Sequence, residues 1–339
     1  MAKLATLLTT LGLAGAVCAP VPALAWGGSG HRMIGQAAME SLPTELPAFL
    51  RTPKAVRLMG ELSREPDRWK GGVSKLHDHD REPPHFVDLS DDGTILGGPT
   101  LATLPPNRED YETALRAVGT NSWKAGTLPY AIADAAQQLA KDFAMWRGEG
   151  LALKHEKDKA KLAWLVEDRA ERESLILQNI GLLSHYVGDG SQPLHVSVHY
   201  NGWGDYPNPK DYTTGRIHGM FEGDFVAANI REPAVRAAMA PPKAQTGPLE
   251  ARVAAYLTET GAQVEPLYVL EKAGGFQNGD ARGVAFATAR LAAGASELRD
   301  LIVEAWNVSP KVTVGWPAVS LSDIEAGRVD AYRAFYNKD

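Results

Sequence analysis

The sequence predicts an all-α fold, a single-domain multi-helix globule, on three observations. Long stretches place apolar residues at helical spacing, and alanine-rich runs such as Ala285–Ala293 favour helix strongly, although Gly283 and Gly294 weaken that run at its ends. Alternating stretches of strand length are nearly missing; His85-Phe-Val-Asp-Leu89 is the best, and it is short. No internal repeat is visible. At 339 residues with 44% hydrophobic content, the chain is long enough to bury a sizeable core.

In chain order, residues 1–25 read as a secretory signal. Lys3 supplies the positive start, Leu4 to Val17 the apolar core, and Ala23-Leu24-Ala25 the small-residue cleavage site. The apolar run is too short for a membrane span. Cys18 lacks the preceding leucine of a lipoprotein signal. The expectation is an exported protein, periplasmic or secreted, whose functional domain runs from 26 to 339. Helices are expected at Gly30–Leu42, Arg108–Val118, Pro129–Arg147, Asp158–Val187, His218–Asn229, Pro248–Leu270, Asp280–Trp306 and Ser322–Tyr336. Pro129 suits a first turn, and Ser322 three before Glu325 reads as a capping box. Pro241–Pro248 and Ser309–Pro317 read as connections. Lys75–Pro84 reads as a charged loop. Tyr200–Arg216, rich in glycine, proline and aromatics, is placed either to meet a substrate or to pack on the body.

Cys18 is the only cysteine, so a chain starting at Trp26 has neither a disulfide nor a thiolate for a metal. Loss of Lys3 takes the formal charge from −6 to −7. That argues against a broad basic surface for nucleic acid, but not against a phosphodiester substrate where metals supply positive charge.

The chemistry concentrates in Leu183–His195. His185 and Asp189 share a helix face at i,i+4, and Gly188, Gly190 and Pro193 are expected to break the helix so that His195 turns back to the same place. His218 and Glu222 form a second i,i+4 pair. Imidazoles and carboxylates gathered this way suit zinc and suggest a zinc hydrolase. A chain cleaved before Trp26 would also offer a terminal amine, of pKa about 7.7–8.0, with His31 nearby. Asp67 and His85, taken singly, read as ordinary polar residues. So do His77 and His79, alternating with Asp78 and Asp80, and His155 in a charged stretch. His199, four after His195, is a candidate substrate contact from an exposed loop.

Taken together, Trp26-x4-His31, Asp67, His85-Phe-Val-Asp88, His185-x3-Asp189-x5-His195 and His218-x3-Glu222 resemble the zinc-dependent phospholipase C and single-strand-specific nuclease superfamily. The anchors span 26 to 226. The resemblance implies an all-helical fold around three Zn2+ ions. One ion would take Asp67, His85, His185 and an oxygen of Asp189. A second would take the Trp26 amine and carbonyl, His31 and the other Asp189 oxygen. The third would take His195, His218 and Glu222. Asp189 and Asp67 would be the catalytic carboxylates, Asp189 as bridge and Asp67 as ligand and possible base, with a metal-activated water as nucleophile.

The two branches divide on substrate. Trp26-x4-His31 resembles the nuclease branch, whereas a final glutamate followed by Phe225-Val226 resembles the phospholipase branch. The Gly-Gly-Asn signature of the nucleases is missing; Asn201-Gly-Trp-Gly204 stands in that neighbourhood. Phe86 and Asp88 are candidates to stack on and hydrogen-bond a base, and Trp203 is a candidate loop contact. The balance leans to phospholipase C-like cleavage, giving diacylglycerol and a phosphorylated head group, with transient membrane-surface contact. The alternatives are a single-strand endonuclease or 3′-nucleotidase leaving 5′-phosphates, and a non-catalytic zinc-binding protein. No obligate protein partner is inferred.

Overall fold

A computed structural model describes residues 26–244 and 246–336. The signal-peptide reading, and Cys18 with it, falls outside these residues. The chain forms α1 (Gly28–Glu40), α2 (Pro53–Leu62), α3 (Glu65–Arg68) and α4 (Lys75–Arg81). Next come α5 (Arg108–Ala117), α6 (Ser122–Ala125), α7 (Leu128–His155) and α8 (Lys159–Ser191). A π-helical turn at Met220–Phe225 leads into α9 (Val226–Asn229), followed by α10 (Glu232–Ala237). The last elements are α11 (Leu249–Gly261), α12 (Val264–Lys272), α13 (Ala281–Val308), α14 (Leu321–Glu325) and α15 (Ala331–Tyr336). Among the described residues there are only isolated β-bridges and no strand. The all-α, single-domain expectation therefore holds. No helix among them is long and apolar enough to cross a membrane.

The α7–α8 hairpin is the spine. Asp158 opens α8 by accepting from the backbone N–H groups of Ala160 and Lys161. Helices α1, α2 and α13 lie against α8, and the main core runs from Trp26, Ile34 and Met59 through Ile180 and Val187 to Leu291 and Leu298. Beyond Arg147, α7 continues to His155 because a second apolar cluster, Ala144, Ala152, Leu165, Val314, Leu321 and Ile324, gives those turns something to bury.

Several boundaries differ from expectation. Helix α8 does not break at Gly188 or Gly190 but runs to Ser191. Each glycine costs about 1 kcal/mol against alanine in a helix, and here each sits where a neighbour comes too close for a side chain. A Cβ on Gly188 would lie 2.9 Å from His31 Nδ1, and one on Gly190 would lie 2.9 Å from the Tyr256 ring. The break comes at Gln192, whose side-chain oxygen accepts from Leu194 N–H ahead of the Pro193–His195 3-10 turn. Lys75–Pro84, expected as a loop, is mostly helix: α4 is capped by Ser74 and buries nothing, and Pro83 beyond it is buried. The expected Pro248–Leu270 helix divides between α11 and α12, and Ser322–Tyr336 between α14 and α15, with Ser320 rather than Ser322 as the cap. Helix α2 was not expected from periodicity, although Thr52-Pro53 is an ordinary cap and first turn.

Of the expected strand His85–Leu89, His85 closes a 3-10 turn and only residues 86–89 are extended, joining no ladder beyond the isolated Leu89–Ile95 bridge. Val87 N–H donates to His195 O at 2.9 Å, Asp88 N–H to Ala125 O at 2.9 Å, and Leu89 O accepts from Val198 N–H at 3.0 Å. The segment is stitched between two irregular stretches, and that stitching sets His85 beside His195.

Candidate metal centre

Three of the imidazoles that face the cluster are held from behind. His185 Nδ1 donates to Ser63 O at 2.8 Å, His195 Nδ1 to His85 O at 2.7 Å, and His218 Nδ1 to Tyr200 O at 2.7 Å. A carbonyl only accepts, so these bonds put the ring proton on Nδ1 and leave Nε2 with a lone pair in the neutral ring. The lone-pair nitrogens then converge. His195 Nε2 and His218 Nε2 are 3.1 Å apart, with Glu222 Oε2 at 2.8 Å from His218 and 3.5 Å from His195. His185 Nε2 lies 2.9 Å from His85 Nδ1 and 3.2 Å from Asp189 Oδ2. In the His195, His218 and Glu222 set acceptors alone face one another and repel, so that set requires a cation, either a proton or a metal, whereas in the other a proton on His85 Nδ1 can also bridge to Asp189 or His185. The separations are close to the roughly 3.3 Å edge of a tetrahedron with zinc–nitrogen bonds of 2.0–2.1 Å.

Three groups emerge that could hold a metal ion: Asp67 with His85 and His185, His31 with His185 and Asp189, and His195 with His218 and Glu222. Asp189, fully buried, joins two of the groups. Its Oδ2 lies 3.1 Å from His85 Nδ1, whereas its Oδ1 faces His31 Nε2 at 3.5 Å. Asp67 Oδ1 is 3.8 Å from His85 and 3.9 Å from His185. Four buried atoms of these groups have neither a hydrogen-bond partner nor a lysine or arginine beside them: Asp189 Oδ1, Glu222 Oε1 and both ring nitrogens of His31; Asp67 Oδ1 has only the Lys70 ammonium, at 2.8 Å. Such atoms are costly to bury unless something neutralises them, which fits bound cations.

Helix geometry delivers the donors. His185 and Asp189 lie on the same face of α8, and His31 reaches them from α1, its ring stacked on His185 at 4.1 Å. The close approach of that ring is what Gly188 permits. His218 and Glu222 flank or lie within the π-helical turn, a local widening that is frequent at functional sites. Gln192, not anticipated from the sequence, donates from Nε2 to Glu222 Oε2 at 3.0 Å and so orients that carboxylate. Lys70 is a second unexpected neighbour, its ammonium 2.8 Å from Asp67 Oδ1. Trp26 is fully buried; its indole N–H donates to Ser191 Oγ at 2.8 Å, and its carbonyl accepts from His31 N–H at 3.3 Å. The residue expected to supply a terminal amine is thus pinned beside His31.

The electrostatics match a cation site. Burial alone would raise the Asp189 carboxyl, yet His185 and His195 hold it well below the usual range. Asp67 and Glu222 are likewise lowered against the pull of burial, Asp67 by His185 and Lys70 and Glu222 by His218 and His195. Burial pushes His85 down to about 4. His195 goes the other way: burial opposes its charge, but Asp189 and Glu222 overcome that and lift it to about 9. In the metal-free protein at pH 7.5, His195 therefore carries a proton that a metal must displace. Zinc titration by calorimetry in two buffers of different ionisation enthalpy is expected to give different heats, reporting proton release. Equal heats would contradict this charge state.

The substrate-contact candidates occupy different settings. Phe86 and Asp88 are half-buried on the stitched segment, and burial raises the Asp88 carboxyl to about 8 while His195 opposes the rise. His199 is buried, its Nδ1 donating to Trp203 O and its Nε2 2.8 Å from Asp91 Oδ1. It stacks on Trp203 at 3.8 Å, and the Trp203 indole N–H donates to Pro207 O. Trp203 and Tyr212 thus pack their loop onto the body, while Tyr200 and Tyr206 stay exposed. His199 and Trp203 line a cleft of about 850 Å³ that also includes Val196 and Ser197, adjoining His195. His77 and His79 lie on exposed α4, and His155 ends α7 against Glu325 O.

Fold and site together define an all-helical protein with a buried group of histidines and carboxylates able to hold metal ions. The chain matches no protein-family model, and no curated protein matches it.

Proposed function

We propose that the protein is an exported zinc-dependent phosphodiester hydrolase of the phospholipase C and single-strand nuclease type, holding three Zn2+ ions. The observation that carries this reading is Asp189, whose two oxygens face separate donor sets. Such a carboxylate suits a bridge between two metals, and no serine or cysteine nucleophile is needed beside it. Zinc bound there would supply Lewis acidity and a water of lowered pKa.

The chain's own residues do the rest. His31, Asp67, His85, His185 and Asp189 would hold two ions, with the Trp26 backbone completing the His31 site after cleavage before Trp26. His195, His218 and Glu222 would hold the third. The lone pairs that His185, His195 and His218 turn inward support this role, and the Ser63, His85 and Tyr200 carbonyls keep those three rings aimed. Three divalent ions exceed the charge of Asp67, Asp189 and Glu222, which leaves a positive pit for an anionic diester in an acidic protein.

For substrate we favour a phospholipid, cleaved to diacylglycerol and a phosphorylated head group, because Glu222 with Phe225-Val226 follows the phospholipase pattern. The spacing Trp26-x4-His31 supports the second reading, a single-strand nuclease. Hydrolysis of bis(p-nitrophenyl) phosphate is expected to vanish with a chelator and return with zinc. A side-by-side assay on phosphatidylcholine vesicles and denatured DNA is expected to favour the lipid. Rapid DNA cleavage without lipid turnover would reverse the order, and metal binding without hydrolysis of any diester would leave a zinc-binding protein.

A further inference from the structure

The segment between Asp67 and His85 is unlike the rest of the surface. It turns through Gly71 and Gly72, both at positive φ, and then forms α4, a helix with no buried residue. Val73 and Leu76 are each 76% exposed, the most exposed large aliphatic side chains among the described residues. Folding gains nothing from them, and water pays for them. They have aromatic company: His79 of α4 stacks on Trp123 at 5.8 Å, and that indole is itself 41% exposed. The segment ends at Arg81, whose guanidinium stands over Trp69, and then enters the 3-10 turn that carries His85. Across the cluster, on the loop between His195 and His218, Tyr200 and Tyr206 are also exposed. Apolar and aromatic groups therefore stand on both chain segments that lead into the candidate metal centre.

We propose that the α4 segment is a membrane-docking element: Val73, Leu76 and Trp123 insert into a zwitterionic bilayer surface and bring the metal centre to the lipid phosphates. The charges choose this partner over a polyanion. Lys75, Arg81 and Lys124 make no ion pair among the described residues and are free to meet lipid phosphates, while Asp78, Asp80 and Glu82 on the same stretch cancel any net positive charge. Docking by insertion with balanced charge suits phosphatidylcholine and does not require anionic lipid. A single-stranded nucleic acid would instead want an uncompensated basic track. The inference rests on the phosphodiesterase reading only for its purpose, since docking itself can be measured alone.

The test is co-sedimentation with phosphatidylcholine vesicles, using the wild-type chain and the double variant Val73→Ser, Leu76→Ser. Both side chains are exposed, so the fold has no stake in them. The wild type is expected to sediment with vesicles and the variant to bind roughly 100-fold more weakly or worse, from the lost transfer of two aliphatic side chains. Hydrolysis of bis(p-nitrophenyl) phosphate should be equal in both. Wild-type binding that collapses in 0.5 M NaCl, or equal sedimentation of the two proteins, overturns the docking element while leaving the hydrolase intact. Vesicle binding lost in the variant, with no diester hydrolysis by either protein, sustains the docking element and sinks the hydrolase.

Discussion

Replacing Asp189 with asparagine is expected to abolish turnover, by about 10³-fold or more, and to remove more than one equivalent of zinc per chain. The size follows from what the carboxylate touches. Oδ2 serves the His85 and His185 pair, and Oδ1 faces His31, so one substitution strips an anionic donor from two groups at once. Losing a single electrostatic contact in an active site commonly costs 10²–10³ in rate, and here both metal positions go with it. Asparagine keeps the volume, so α8 should survive. The metal-free variant should nonetheless be less stable near neutral pH. The sign is fixed by the lowered carboxyl: its stabilisation is present above its usual range and disappears as pH falls through its depressed value, so the variant lacks a term the wild type holds at pH 7. Glu222→Gln is the contrast, because Glu222 belongs only to the His195 and His218 group and should cost one equivalent. Metal analysis of the two purified variants decides the matter. Equal zinc losses, or near-normal turnover in Asp189→Asn, would refute the bridge.

The contrast between those variants also marks what local sequence can convey. His185 with Asp189, and His218 with Glu222, are pairs whose geometry follows from helical spacing, so their convergence was legible. The bonds that aim the rings are not local. Ser63 O reaches His185, and His85 O reaches His195, from segments remote in sequence, and a backbone carbonyl carries no residue signature. Gln192 and Lys70 were hidden for the same reason: each is ordinary alone and acquires meaning from the carboxylate that folding places beside it.

Glycine is where local sequence and fold diverge most. Local propensity makes Gly188 and Gly190 breakers of α8, and tertiary packing opposes it there. Packing wins, because the space each glycine leaves is filled by the His31 ring or by Tyr256 and Leu257. Similarly, the polarity of Lys75–Pro84 suggested a loop, yet a Ser74 cap and local spacing suffice for α4 without any core contact. The π-helical turn at Met220–Phe225 had no signal in residue spacing, since an inserted i→i+5 turn leaves the i,i+4 pattern of His218 and Glu222 unchanged on paper.

Gly126 is a glycine whose replacement should be severe. It ends α6 at φ 81° and ψ 164°, a region essentially reserved for glycine. A Cβ there would lie 2.0 Å from Phe86 O and 2.6 Å from Phe86 C, both backbone atoms that no rotamer change can move. The same junction carries three backbone bonds: Thr127 N–H to Pro83 O at 2.7 Å, Leu128 N–H to Phe86 O at 3.1 Å, and Asp88 N–H to Ala125 O at 2.9 Å. Gly126→Ala must part these strands of chain, and His85 lies between Pro83 and Phe86. Conformational strain of about 1–3 kcal/mol adds to overpacking of similar size, so a loss of about 4 kcal/mol is expected, a large part of a typical domain's stability. Gly119→Ala isolates the two terms, because Gly119 has nearly the same φ, 82°, but nothing within 4 Å of its Cβ position. It should cost only about 1–2 kcal/mol. Chemical denaturation of both variants, with zinc content measured alongside, gives the answer. Equal stabilities would mean that the junction with Phe86 can open freely, whereas a large extra loss in Gly126→Ala, with zinc lost as well, would tie the position of His85 to this single close approach.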